Sequence, residues 1–161
     1  MIPIHHEDKK YNLRYRIVTV STSRTMENDR SGTIMEELLE NKASRGLVKD
    51  DEVMILSDLF INYGSTDVFI YIGGTGISRL DQTSMAIRKI ADREVRGFGE
   101  LFREKSGGVF PYISDASLFI YKKKIIFTVP GSEDAQKIAF EIINGTVNYL
   151  IQWKYRYCTA C

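Results

Sequence analysis

The chain is predicted to be a three-layer α/β sandwich, a mostly parallel sheet with helices on both faces, on three observations. Residues 68–72, VFIYI, form a near-continuous apolar run, as expected of a central strand buried on both sides. Strand-like and helix-like segments alternate along the chain, the order that builds crossover connections. A glycine cluster, Gly73-Gly74-Thr75-Gly76, follows the apolar run directly and suggests an anion site, because glycine permits positive φ and lets amides approach a ligand at a helix start.

Taken in order, residues 14–20 alternate and then turn apolar, which reads as the first strand, and the polar stretch 21–31 reads as a loop. Ile34, Met35, Leu38 and Leu39 share one face of a helix over about 32–41. Asp50 or Asp51 caps a second helix with an apolar side of Val53, Met54, Leu56, Leu59 and Phe60. Met85, Ile87 and Ile90 predict a helix over about 83–91, whereas the glycines of 97–108 predict turns around a short helix. Residues 117–121 and 125–129 flank a triple lysine and predict a hairpin or two adjacent strands, ended by Pro130-Gly131. From Ala135 to Ile151 apolar residues recur at helical spacing, predicting one long helix or a broken pair.

The length, 161 residues, fits a single domain with its core over about 14–153. With 22 basic and 21 acidic residues, bulk charge gives no case for nucleic acid or an anionic membrane, so anion binding must be local. The first ten residues lack the apolar core of a signal peptide and no run approaches a membrane span, so the cytoplasm is the expected location. Cys158 and Cys161 form a C-x-x-C pair at one end, and His5 and His6 lie at the other. This spacing is read as an ordinary tail, with a disulfide or a metal shared between chains as the alternative. The glycine cluster itself fits neither familiar phosphate motif. Arg79 stands where a dinucleotide fingerprint needs its third glycine, and no Gly-Lys-Ser/Thr follows.

Several ordered motifs carry a family resemblance. Ile72-Gly73-Gly74-Thr75-Gly76 with Arg79, Asp81 and Thr83, then residues 93–103 (REVRGFGELFR), then Val129-Pro130-Gly131-Ser132, resemble the signatures of molybdenum-cofactor biosynthesis proteins of the MogA and MoaB type. Ser21 to Arg24 and Asp29 to Gly32 resemble two further motifs of that family, and the resemblance runs from Tyr15 to Trp153. It implies the molybdopterin-binding fold and an enzyme that transfers AMP from Mg-ATP to the terminal phosphate of molybdopterin, releasing pyrophosphate. It also implies a homotrimer or a hexamer of two trimers, and a downstream metal-insertion protein as a partner.

Carried over by motif, the resemblance implies that Asp50 and Asp81 are catalytic and hold Mg²⁺. Asp50 lies in Leu47-Val48-Lys49-Asp50, and a slip of one residue would put Asp51 in its place. Ser21, Gly73, Gly74, Thr75, Gly76, Arg79, Thr83, Ser114, Gly131 and Ser132 are the implied binding residues, with Arg24 and Lys49 as further phosphate-facing cations. The chemistry is coherent. Two carboxylates near polyphosphate require a divalent cation between them, and a phosphate monoester with a second pKa near about 6 is already ionised at neutral pH without a general base.

Three departures accompany the match. Asp115 stands where many relatives have arginine, which predicts weaker phosphate binding, with added repulsion of a few kcal/mol at most. Glu133 replaces a proline or small residue, and the passage 39–48 is short, which predicts a trimmed second strand or absent residues. The alternatives to an enzyme are a non-catalytic pterin-binding or scaffold protein of the same family and a nucleotide-binding protein of unrelated pathway.

Overall fold

The computed structural model describes residues 11–157, with side chains as far as Gln152, so His5, His6, Cys158 and Cys161 lie outside the described residues. In chain order the elements are β1 (Tyr15–Val20), α1 (Arg30–Leu38), β2 (Ala43–Val48), α2 (Glu52–Ile61), β3 (Val68–Ile72), α3 (Thr83–Ile90), β4 (Arg93–Glu94), α4 (Arg96–Ser106), β5 (Ser117–Tyr121), β6 (Lys124–Val129) and α5 (Glu133–Tyr157). They form a six-stranded sheet of order β2-β1-β3-β6-β5-β4. β2, β1, β3 and β6 run parallel, while β5 is antiparallel to both its neighbours.

The strands alternate between two buried faces, as pleating requires. Ile17, Val68, Ile70, Ile72, Phe127 and Val129 meet α1, α4 and α5 on one side. Val18, Phe69, Tyr71 and Ile126 meet α2 and α3 on the other. β3 is buried at all five positions, which accounts for its unbroken apolar run. Among the described residues no helix is long and apolar enough to cross a membrane.

Helix starts follow side-chain caps. Asp29 accepts from the Gly32 amide at 3.1 Å, so α1 begins at Arg30, two residues before the expected start. Asp51 caps α2 by accepting from the Met54 amide at 3.1 Å. Ser132 caps α5 by accepting from Ala135, and Glu133 and Asp134 in the first turn suit the positive end of its dipole. α5 is one continuous helix, not a broken pair.

Two expectations are corrected. Residues 96–106 form a regular helix, not turns around a short one, because Gly99 is needed where α4 presses on β5's approach: a Cβ there would lie 2.5 Å from the Ala116 carbonyl. The turns fall only at Gly107 and Gly108, which take positive φ. β2 is not trimmed. It pairs with β1 over all six residues, and the short passage is closed by Glu40 and Asn41 in the left-handed region.

Asp29 is 1% exposed and joins several elements. Thr19 donates to it at 2.5 Å from β1, and Arg45 on β2 donates at 2.6 Å while also pairing with Glu36 at 2.7 Å. Without Asp29, Arg45 would keep only Glu36, and the Thr19 hydroxyl and the Gly32 amide would lose their acceptor in a buried site, which is costly. Asp29→Ala is expected to lower unfolding free energy by about 3–5 kcal/mol, measured by urea denaturation.

Candidate functional site

Connections leave β1 toward β2 on one side, while β3 lies on the other, so a crevice opens outside the carboxyl ends of β1 and β3. The glycine loop fills that position. Gly73 (φ +100°) passes so close to β1 that a Cβ would lie 2.5 Å from the Val20 carbonyl, and Gly74 also has positive φ. Side chains here would be both strained and obstructed.

The first three carbonyls of the loop are taken by the protein. Thr83 donates its hydroxyl to Gly73 O at 2.8 Å and its amide to Gly74 O at 3.0 Å, and the Asp115 amide donates to Thr75 O at 2.8 Å. Across a trans peptide the N–H of the next residue points opposite to the carbonyl. The amides of Gly74, Thr75 and Gly76 therefore face away from these anchors, and none has a protein acceptor among the described residues. Three outward amides in a row suit an anion.

Two carboxylates flank this loop. Asp50, at the end of β2, accepts from the Gln82 amide at 2.9 Å, and a Cβ on Gly74 would lie 3.0 Å from both its carboxylate oxygens. Asp81 accepts from the Ser78 amide at 2.8 Å, and a Cβ on Gly76 would lie 2.7 Å from it. Because Asp51 serves as the α2 cap, Asp50 is the residue turned to the loop. Burial holds the Asp50 carboxyl above its ordinary value; the Gln82 amide opposes this and the Asp81 charge adds to it.

The other motif residues fall into two sets. Ser21, Gly131, Ser114 and Thr75 gather around the loop: a Cβ on Gly131 would lie 3.6 Å from Gly73 Cα, and the Thr75 and Ser114 hydroxyls are 3.3 Å apart. Ser21 accepts from the Arg24 amide at 3.1 Å, shaping the turn after β1. Three others have structural work. Thr83 is buried and braces Gly73, Ser132 caps α5, and Arg24 donates to Gly131 O at 3.1 Å. Arg79 and Lys49 are exposed. Beside Ser114 and Ser132 lies a cavity of about 260 Å³ walled by Phe102, Phe110, Pro111 and Pro130.

Asp115 is not a bare anion. Arg88 on α3 grips both its oxygens at 2.9 Å and pairs with Glu94 at 3.0 Å. Burial works to raise the Asp115 carboxyl, yet the hydrogen bonds and charge of Arg88 outweigh it and hold the group below its ordinary value. Glu133 is likewise paired, with Arg30 at 2.8 Å. Sequence reasoning gave no role to Arg88 or Gln136, and named Asp29 and Ser31 only as members of the Asp29 to Gly32 motif. The signal for Asp29 was its place three residues before Gly32, and Gln136 stood out only as a polar residue on an apolar helical face.

The model of a probable molybdopterin binding domain matches residues 16–148. The chain belongs to this family, the MogA and MoaB group of molybdenum-cofactor biosynthesis proteins. It is 36% identical over 145 residues to molybdenum cofactor biosynthesis protein B of Bacillus cereus, covering 84% of this chain and 86% of that one. The Staphylococcus aureus protein of the same name is 34% identical, covering 91% and 95%. A crystal structure of a molybdenum cofactor biosynthesis protein B superposes with TM-score 0.83 at 34% identity over 89% of this chain and 96% of its own. The tungsten cofactor synthesizing protein of Pyrococcus furiosus gives 0.80 at 30% identity over 89% and 98%.

Gly74→Ala is expected to cost about 1–3 kcal/mol in urea denaturation, from positive φ and the collision with Thr83 and Asp50. The raised Asp50 carboxyl gives a prediction of opposite sign. Since the folded state holds that proton more tightly than the unfolded chain, its contribution is full below the unfolded pKa and is lost as pH rises through the folded one. Ionised Asp50 therefore destabilises the metal-free fold at neutral pH. Asp50→Asn is expected to raise Tm at pH 7 in EDTA, with the gap from wild type closing as pH falls into the acid range, as calorimetry can measure.

Proposed function

We propose that this protein is a molybdopterin adenylyltransferase, transferring AMP from Mg-ATP to the terminal phosphate of molybdopterin with release of pyrophosphate. The observation that carries the reading is that Asp50 and Asp81, from two different segments, flank one loop of outward amides at the sheet's switch point.

The donor set fits Mg²⁺. Among the described residues no cluster of three or more His, Cys, Asp or Glu is assembled, and two carboxylates are what Mg²⁺ takes when phosphates and water supply its remaining positions. When bound between Asp50 and Asp81, the ion would neutralise polyphosphate charge and polarise the attacked phosphorus. The chain's own part is positioning. The amides of Gly74, Thr75 and Gly76 hold phosphate oxygens, and Ser114 and the turn at Gly131 and Ser132 receive the second phosphate group. No side-chain base is required, since the attacking phosphate is already ionised. The cavity beside Ser114 and Ser132, with its flat aromatic and proline walls, suits a planar heterocycle.

The same reading makes the protein cytoplasmic and a homotrimer or hexamer. Val109, Tyr112 and Ile113 stand exposed in one segment, which supports an apolar face covered in an assembly. A metal-insertion protein that takes the product is the implied partner. Arg88 pairs with Asp115 and so removes the repulsion from a pterin phosphate, while the arginine that many relatives carry at that position stays absent, which keeps a pterin-binding module without catalysis as the alternative.

Molybdopterin, ATP and Mg²⁺ incubated with the protein are expected to give adenylylated molybdopterin by mass spectrometry, with matching pyrophosphate, and none in EDTA. Bound pterin without product would make the protein a binding module instead. Asp81→Asn and Asp50→Asn are each expected to lower AMP transfer on the order of 100-fold or more with circular dichroism unchanged. Near-normal turnover in Asp81→Asn would remove that residue from the mechanism.

A further inference from the structure

The turn at Pro130-Gly131-Ser132 repeats the construction of the glycine loop, with side chains as the anchors. Gln136, fully buried on α5, donates its amide nitrogen to Pro130 O at 2.7 Å and to Ser132 O at 2.8 Å. Between them Gly131 O accepts from Ser31 Oγ at 2.7 Å and from Arg24 at 3.1 Å. Three consecutive carbonyls are thus held, and by peptide planarity the amides of Gly131, Ser132 and Glu133 are turned the other way. Among the described residues none of these three amides has a protein acceptor. The outer wall of this turn, Pro130 and Ser132, lines the cavity beside Ser114.

Gln136 is costly to keep there. Its side-chain oxygen is buried without a partner, a desolvation penalty that an apolar residue at that helical position would not incur. Folding alone would favour an aliphatic side chain among Ala135, Ile138 and Ala139. A buried amide kept at such cost points to what its donors do.

We propose that Gln136 is a positioning residue, which with Ser31 fixes the amide planes of residues 130–133 so that they receive the terminal phosphate of the pterin substrate. This deepens the adenylyltransferase reading by dividing the site: residues 73–76 with Asp50 and Asp81 serve the nucleotide, and residues 130–133 serve the second phosphate. The division predicts selective damage. Gln136→Met keeps the volume and removes both donors, freeing two of the three planes.

The test measures KM for molybdopterin and for ATP, kcat, and the equilibrium dissociation constant of molybdopterin without ATP by ultrafiltration, for wild type, Gln136→Met and Ser31→Ala. The expected result is a rise of about tenfold or more in KM and dissociation constant for molybdopterin in each variant, with KM for ATP and kcat at saturation within about twofold of wild type. Equal loss toward both substrates, or unchanged pterin affinity in a folded variant, would overturn it. Should Gln136→Met fail to fold, Ser31→Ala, which leaves Gly131 O held by Arg24 alone, tests the same positioning of the turn at its middle plane. Absence of product from wild type would refute the adenylyltransferase reading, while the pterin dissociation constants would still test Gln136.

Discussion

Everything at the functional edge depends on three parallel strands ending side by side with their carboxyl ends at one rim. β1, β3 and β6 are paired in register, and the amide of Gly73 donates to Val129 O at 2.9 Å while a Cβ on it would lie 2.5 Å from the Val20 carbonyl. Three loops must leave this rim within a few ångströms of one another, and only a residue without a side chain fits at the middle exit. The glycine loop is therefore first a solution to crowding. Its amides become available for an anion because crowding and the anchoring hydroxyl and amide of Thr83 have already turned its carbonyls inward.

Charge around this rim is managed by pairing at a distance. Asp29 is enclosed by Thr19 and Arg45, with Arg24 at 3.8 Å; Asp115 is gripped by Arg88, and Glu133 by Arg30. Asp50 and Asp81 differ: amides stabilise them, and no cation pairs with either among the described residues. The residue with the raised carboxyl is thus one that the fold does not neutralise. Such tension between stability and ligation is common where a site must receive a cation.

Elements with strong periodicity were legible in the sequence: β3 from its buried run, α5 from its apolar stripe, and the β5–β6 hairpin from its flanked lysines; α2 forms where expected, but of its expected apolar side Val53, Met54 and Phe60 are exposed, and Ile55, Asp58 and Leu59 are what it buries. Asp50, Asp81 and the loop were legible only as motif positions, and geometry separated Asp50 from its capping neighbour. What escaped was non-local. Gly97 and Gly99 look like turn signals, yet Gly99 answers a close approach by a residue 17 positions on, Ala116. β4 is too short to carry a pattern. The partner of Asp115 lies 27 residues back, so the sequence predicts a repulsion that Arg88 removes.

The register of β3 against β6, Val68 to Ile125, sets the order in which the molecule can be made. While the chain emerges from the ribosome, β1, β2 and β3 with α1 and α2 are available early, but β3 has one open edge until residue 129 appears. Up to then the Gly73 amide has no Val129 carbonyl to meet. The ligand rim cannot be completed before β6 is present. A nascent or truncated chain lacking β6 would present an apolar strand edge and no site, a state that invites aggregation rather than premature binding.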